Sequence, residues 1–126
     1  MTISEVSKKY ALTTDTLRYY ERIGLIPRVP RNSSGIRDYD EASLGWVELI
    51  KCMRSAGVGI EALIEYGRLF QQGEATIAER KALLVEQRRQ LLERMEDMQR
   101  SLERLDRKIE WHEELLGGKA AEPGDC

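Results

Sequence analysis

The feature that most restricts this chain is its last third. From Thr76-Ile77-Ala78-Glu79, which has the Thr-x-x-Glu spacing of a capping box, no glycine or proline appears until Gly117-Gly118. The helix predicted between them is about 40 residues, or roughly 60 Å long. Its apolar positions Ile77, Leu84, Leu91, Met95, Met98, Leu102, Leu105, Ile109 and Leu116 alternate by three and four, with Lys81, Arg88 and His112 filling the gaps. The 126-residue chain leaves too little else to cover such a stripe, so a dimer joined along the seam is expected. Charge favours an antiparallel pairing. Residues 76–95 carry five basic and three acidic groups, residues 96–116 four basic and seven acidic, and only antiparallel helices set unlike halves together. Ala78, Val85 and Leu92 form a second stripe, and Trp111 and Leu115 lie off the seam. These are expected to dock on the globular domains, Trp111 on the partner's.

Upstream of this helix, short elements follow one another quickly. Thr2-Ile3-Ser4-Glu5 is a second capping box, predicting a helix in which Ile3, Val6 and Tyr10 share a face. Thr13 caps another that Gly24 ends, with Leu17 and Tyr20 turned inward and Arg18, Tyr19 and Arg22 outward. Two such helices joined by a tight turn describe a helix-turn-helix. Pro27 and Pro30 then forbid a helix, and the Asn32 to Gly35 cluster marks a turn, giving a small hairpin that carries Arg28, Arg31, Arg37 and Tyr39 as a basic wing. Asp40 caps a third helix to about Ala56, closed by Gly57. A fourth runs from Ile60 to about Gln71, closed by Gly73. Trp46, Leu49, Ile50 and Met53 with Leu63, Ile64, Tyr66 and Phe70 are the expected core of this pair.

The expected architecture is therefore mainly α. A winged helix-turn-helix domain spans residues 1–73, a dimerisation helix forming an antiparallel coiled-coil dimer spans 76–116, and a flexible tail spans 117–126.

Net charge is only −2, which argues against a uniformly basic nucleic-acid binder, but residues 1–40 hold seven basic against five acidic groups and residues 41–75 three against five. Within the globular part, residues 1–75, the basic excess falls on the segment that carries the wing. No apolar run suits a membrane span, and the first residues lack the pattern of a signal peptide, so a cytoplasmic location is expected. Two cysteines, Cys52 and Cys126, exclude a four-thiolate metal or iron-sulfur site within one chain. Cys52 falls at the rim of the third helix's apolar arc, where an inert small core residue and a reachable thiol are both consistent with the pattern. Thiol enzymology lacks a base, because the one histidine, His112, lies on the long helix. A plain coiled-coil adaptor would leave the arginine wing unexplained.

The blocks TLRYYERIGLI and RVPRNSSGIRDY, followed by a helix pair and a long terminal helix, closely resemble the MerR family of bacterial transcription regulators. The segment IKCMRSAGVGIEALIEYGRLFQQG is further similar to the AdhR- and NmlR-like branch of that family, which answers aldehydes and nitrosative stress. The resemblance implies a homodimer that binds double-stranded promoter DNA and distorts it, acting on RNA polymerase indirectly through the DNA. It implies that Arg18 and Tyr19 work in or beside the major groove, that Arg37, Tyr39 and Arg54 hold phosphates, and that Cys52 senses a thiol-reactive electrophile. Residues 74–125 contain no cysteine, which departs from the metal-sensing members, so neither a metal nor a cofactor is expected. The alternative is a regulator whose small-molecule effector binds noncovalently.

Overall fold

The computed structural model describes residues 1–118. Helices α1 (Ile3–Tyr10), α2 (Thr14–Arg22), α3 (Glu41–Ser55) and α4 (Ile60–Gln71) are followed by a 3-10 turn over Gly73–Thr76 and by α5 (Ile77–Leu116). Among the described residues no strand forms, and the arm between α2 and α3 closes through a single antiparallel bridge between Arg31 and Arg37. The expected tail lies mostly outside the described residues, Cys126 included.

Local chemistry sets the helix ends. The Thr2 hydroxyl accepts the Glu5 N–H at 3.2 Å while Glu5 Oε1 accepts the Thr2 N–H at 2.8 Å, completing the first capping box. Thr13 Oγ1 accepts the Thr16 N–H at 3.1 Å, and Asp40 Oδ1 the Ser43 N–H at 2.9 Å. Gly57 at φ 88° and Gly73 at φ 83° take the left-handed conformation that ends α3 and α4. Thr76 departs from its expected role. Its hydroxyl points back and donates to the carbonyls of Leu69 at 2.6 Å and Gly73 at 2.9 Å, so it secures the end of α4 instead of capping α5. Arg80, on the first turn of α5, adds bonds to Thr76 Oγ1 and the Gly73 carbonyl and stacks on the Phe70 ring.

Two compact units result, Met1–Arg88 and the residues from Arg89 onward. Thr76 and Arg80 bind the first turn of α5 to the end of α4, so the start of the long helix belongs with the first unit. In the first unit Val6, Leu17, Leu25, Ile26, Val29, Tyr39, Val47 and Ile50 are all but fully buried, joined by Tyr10, Val58 and Leu63. Of the expected α3–α4 core, Ile50 and Leu63 are buried and Met53 and Ile64 pack against them, whereas Leu49, Trp46 and Tyr66 are only half-buried, Phe70 is exposed, and Val47 is buried in addition. Trp46 instead meets Tyr66 and Phe70 ring to ring, at 5.7 and 4.9 Å, on the outside of the pair. Gly67 is the point of closest approach between α4 and the turn after α2. A Cβ there would stand 2.6 Å from the Gly24 carbonyl oxygen.

In the second unit no residue of α5 is buried, and Met95, Met98, Leu102, Leu105 and Ile109 are exposed along one stripe. Ala78, Val85 and Leu92, expected to dock on the globular domain, are exposed as well.

Candidate nucleic-acid interface

Helix α2 separates its residues by the helical period. Leu17 is buried and Tyr20 half-buried against the core, while Arg18, Tyr19 and Arg22 emerge on the other side. Arg18 rests in an exposed pair with Asp15 Oδ1 at 3.3 Å and near Thr14 Oγ1 at 3.4 Å, contacts that cost little to exchange for a ligand. The Arg22 guanidinium lies over the Tyr19 ring, 5.3 Å from its centre.

The arm after α2 is organised by Asn32. Its side-chain oxygen accepts the N–H groups of Ser34 and Ile36 at 2.9 and 3.1 Å, its backbone N–H reaches the Ile36 carbonyl at 2.8 Å, and Gly35 turns the chain at φ 77°. Arg31 donates to the Gly35 carbonyl at 3.0 Å across this tip. Ile36, more than half exposed, stands at the tip, a position that the sequence pattern does not single out.

Arg37 leaves the arm toward α2. Its Nε donates to Glu21 Oε1 at 2.7 Å, and Glu21 Oε2 accepts the Val29 N–H at 3.0 Å. Burial pushes the Glu21 carboxyl up. The hydrogen bonds from Arg37 and Val29, with the charges of Arg37 and Arg31, more than offset this and hold it below the ordinary carboxylate range. In the sequence Glu21 enters only the charge balance. The signal available is its spacing, three residues beyond Arg18 and so on the same helical face.

Tyr39 requires a correction. Expected on the wing surface, it is a core residue, and burial raises its phenol above the ordinary value. Its hydroxyl is shielded from solvent and finds no hydrogen-bond partner among the described residues. The strand alternation that sends Arg37 outward turns Tyr39 the same way in an ideal strand; here the Asp38 N–H donates to the Pro30 carbonyl and the Tyr39 N–H to the Met1 carbonyl, each at 2.8 Å, and the Tyr39 ring joins the core cluster.

Arg18, Glu21, Arg22, Gly24, Ile26, Arg28, Arg37 and Gln71 line one open cleft of about 500 Å³. It joins the recognition helix, the arm and the end of α4, and four of its lining residues are arginines. Tyr19, Arg54 and Cys52 do not line it. Arg54, exposed at the end of α3, donates to the Val58 carbonyl at 3.1 Å and so braces the α3–α4 turn. Cys52 is a free, exposed thiol. The charged neighbours that bear on its reactivity are engaged elsewhere: Lys51 donates to the Tyr10 carbonyl, and Glu48 accepts the Tyr10 hydroxyl at 3.0 Å. Among the described residues no three His, Cys, Asp or Glu side chains gather closely enough to hold a metal ion.

Comparison with known proteins agrees with this geometry. The family described as MerR HTH family regulatory protein matches residues 1–68. The HTH-type transcriptional regulator AdhR of Bacillus subtilis (strain 168) is 60% identical over 84 residues, which are 67% of this chain and 60% of that protein. The chain thus spans about three-fifths of the length of that relative. A crystal structure of a protein described as a MerR family transcriptional regulator from Listeria monocytogenes superposes with a TM-score of 0.90 at 45% identity, covering 94% of this chain and 91% of that one. The structure of HiNmlR, a MerR family regulator lacking the sensor domain, bound to promoter DNA, superposes with a TM-score of 0.83 at 25% identity, covering 92% of each chain. The family match spans more than half of the chain and the structural likeness nearly all of it, and the chain belongs to the MerR family of helix-turn-helix regulatory proteins.

Proposed function

We propose that the chain is a homodimeric transcription regulator that grips double-stranded promoter DNA and distorts it on sensing a thiol-reactive electrophile, an aldehyde or a nitrosative or oxidative agent, at Cys52. The observation that carries the DNA-binding part is the cleft lined by Arg18, Arg22, Arg28 and Arg37. Phosphate contacts fix the register of a protein on a duplex, and distortion needs a firm hold on the backbone. Arg18 and Tyr19, exposed on α2, reach the major groove, Arg37 holds phosphate beside them, and Arg54 holds phosphate from the α3 end. Tyr39, being buried, acts by supporting the arm and not by touching DNA. The promoter-bound structure of HiNmlR supports DNA binding by this fold. RNA polymerase is reached indirectly, through the reshaped DNA. A cytoplasmic location suits this role, and among the described residues no helix is long and apolar enough to cross a membrane.

The exposed stripe of α5 supports the dimer. In antiparallel order each apolar seam residue of one copy meets a seam position of the other, Met95 beside Met98 and Leu91 beside Leu102, when the two helices are centred on one another. Separation of two half-sites on DNA then follows from the helix length.

Sensing by Cys52 draws on its exposure and on its place two residues before Arg54, which braces the α3–α4 turn. The second reading, a noncovalent effector, is favoured by the outward cluster of Trp46, Tyr66 and Phe70, which with Ala42, Gly45 and Leu49 lines a groove of about 310 Å³. In vitro transcription from the chain's own upstream region separates the two. Under the first reading Cys52→Ser keeps DNA binding and loses the response to a thiol-reactive aldehyde. A full response from that variant refutes covalent sensing at Cys52.

A further inference from the structure

An acidic side chain in the lining of a cleft proposed to hold phosphate calls for a reason, because it repels that ligand. Glu21 is such a residue, and its side chain is only 10% exposed. Its two oxygens have separate partners on two segments distant in sequence: Oε1 takes Arg37 Nε at 2.7 Å, and Oε2 takes the Val29 N–H at 3.0 Å. One carboxylate on the recognition helix therefore binds both sides of the arm's base.

The choice of nitrogen matters. A guanidinium presents five N–H donors in a rigid fork, and engaging it through Nε leaves the outer Nη1 and Nη2 edge available. Among the described residues that edge holds no protein partner, and the side chain opens into the cleft shared with Arg18, Arg22 and Arg28. The contrast with Arg31 is instructive, since its Nη1 is occupied by the Gly35 carbonyl. We propose that Glu21 is a positioning residue, a carboxylate strut that holds Arg37 with its Nη edge aimed at a DNA phosphate and fixes the arm relative to the recognition helix. This rests on the DNA-binding reading given above.

The strut works because its two effects differ in reach. Fixing a long, flexible side chain in advance removes the entropy that a loose arginine loses on binding, and the charge-assisted bond orients the planar fork toward the phosphate. The repulsion of the phosphate by the carboxylate is weakened because Arg37 already neutralises it. If the strut dominates, removing the acid weakens DNA binding. If simple electrostatics dominates, removing it strengthens binding.

The test uses the full chain and a fluorescein-labelled mixed-sequence duplex, since phosphate binding is independent of sequence. Anisotropy titrations across a salt series compare wild type, Glu21→Gln, Glu21→Asp, Arg37→Ala and the Glu21→Gln/Arg37→Ala pair. Glu21→Asp keeps the charge and loses the reach to both partners. The proposal expects Glu21→Gln, Glu21→Asp and Arg37→Ala each to weaken binding about tenfold and to shallow the slope of log K against log salt by about 0.9 for each phosphate that is no longer held. The double variant should bind no more weakly than Arg37→Ala alone. In the 15N-correlated NMR spectrum of the free protein, the Arg37 Nε–H resonance should move to the solvated position in Glu21→Gln while the resonances of the core amides stay in place. Tighter or unchanged binding by Glu21→Gln, or wild-type binding by Glu21→Asp, overturns the strut. Full additivity in the double variant also overturns it. If Arg37→Ala binds like wild type, the DNA-binding reading of the cleft fails and the proposal falls with it.

Discussion

Replacing Leu102 by alanine measures how much of the chain's assembly depends on the α5 seam. Leu102 retains half of its surface in the single chain and belongs to a helix with no buried residue. Burying a leucine completely contributes about 1.5–3 kcal/mol, so the exposed half leaves roughly 1 kcal/mol to be gained from a partner. A two-fold dimer contains the site twice, which makes the expected loss about 2 kcal/mol. That corresponds to a dimer dissociation constant roughly thirtyfold higher. Sedimentation equilibrium over a range of loading concentrations reads this directly. Glu103→Ala, one residue away and off the apolar stripe, is the control and should stay within about threefold of wild type. If Leu102→Ala dimerises within about threefold of wild type, the exposed stripe is not the joining surface and the heptad argument is wrong.

Orientation can be read separately. Spin labels at Ile77→Cys, placed in a Cys52→Ser/Cys126→Ser chain, should lie about 60 Å apart in an antiparallel pair, from 40 residues at about 1.5 Å each; a short distance in a double electron–electron resonance experiment would mean parallel helices. Gly67→Ala should lower stability by roughly 1–3 kcal/mol in urea unfolding, because the new methyl meets the Gly24 carbonyl at 2.6 Å and backbone cannot step aside as a side chain can. An unchanged midpoint would show that α4 is free to retreat. Glu21 also predicts a pH dependence. Its folded-state pKa is depressed, so its contribution is complete above the ordinary value of 4.5 and is lost as pH falls through the lower folded value. Urea midpoints of wild type and Glu21→Gln should therefore converge in acid, and a difference that persists there would exclude the ion pair as its source.

Where a boundary depends on neighbours a few residues away, the sequence is enough to find it. Thr2, Thr13, Asp40, Gly57 and Gly73 are local signals, each acting within one turn; α1, α2 and α3 begin, and α3 and α4 end, beside them. The long helix is legible for a similar reason, since a missing breaker and a repeating stripe are both properties of the strand of letters. What stays hidden are choices made by tertiary contacts. Thr76 has the pattern of a cap, but its hydroxyl finds the Leu69 carbonyl seven residues back once the 3-10 turn folds under α4. Phe70 has the pattern of a core residue and is exposed, while Val47, which the pattern does not single out, is buried beside Ile50 in the core that α1 and α2 help to form. Tyr39 reads as outward from its neighbours in an arginine-rich hairpin and is drawn into the core by packing. In the site, Arg18 and Arg37 are legible as cations, but the carboxylate between them is not, because the partners of Glu21 lie eight and sixteen residues away.

The exposure of Cys52 places a condition on any switch that uses it. A ligand moves an equilibrium only by interacting differently with its two states, and an adduct that points into water in both moves nothing. On α3 the buried residues Val47 and Ile50 face the core, and Cys52, two positions beyond Ile50, is turned about 200° from it. Within one chain, then, a small adduct there disturbs no packed face. Sensing at Cys52 requires another surface to cover it in one arrangement, and the second copy that the α5 stripe calls for is the surface the proposed dimer supplies. Linkage then makes the two events reciprocal: if alkylation of Cys52 changes the dimer's arrangement, it changes the dimer's affinity. In a Cys126→Ser background, iodoacetamide should modify Cys52 more slowly in the dimer than in Leu102→Ala at a concentration where that variant is monomeric. The alkylated chain should also show a shifted dimer dissociation constant in sedimentation. Equal alkylation rates together with an unshifted constant would leave the thiol without a mechanical consequence, and the aromatic groove of Trp46, Tyr66 and Phe70 would become the place to look for the effector.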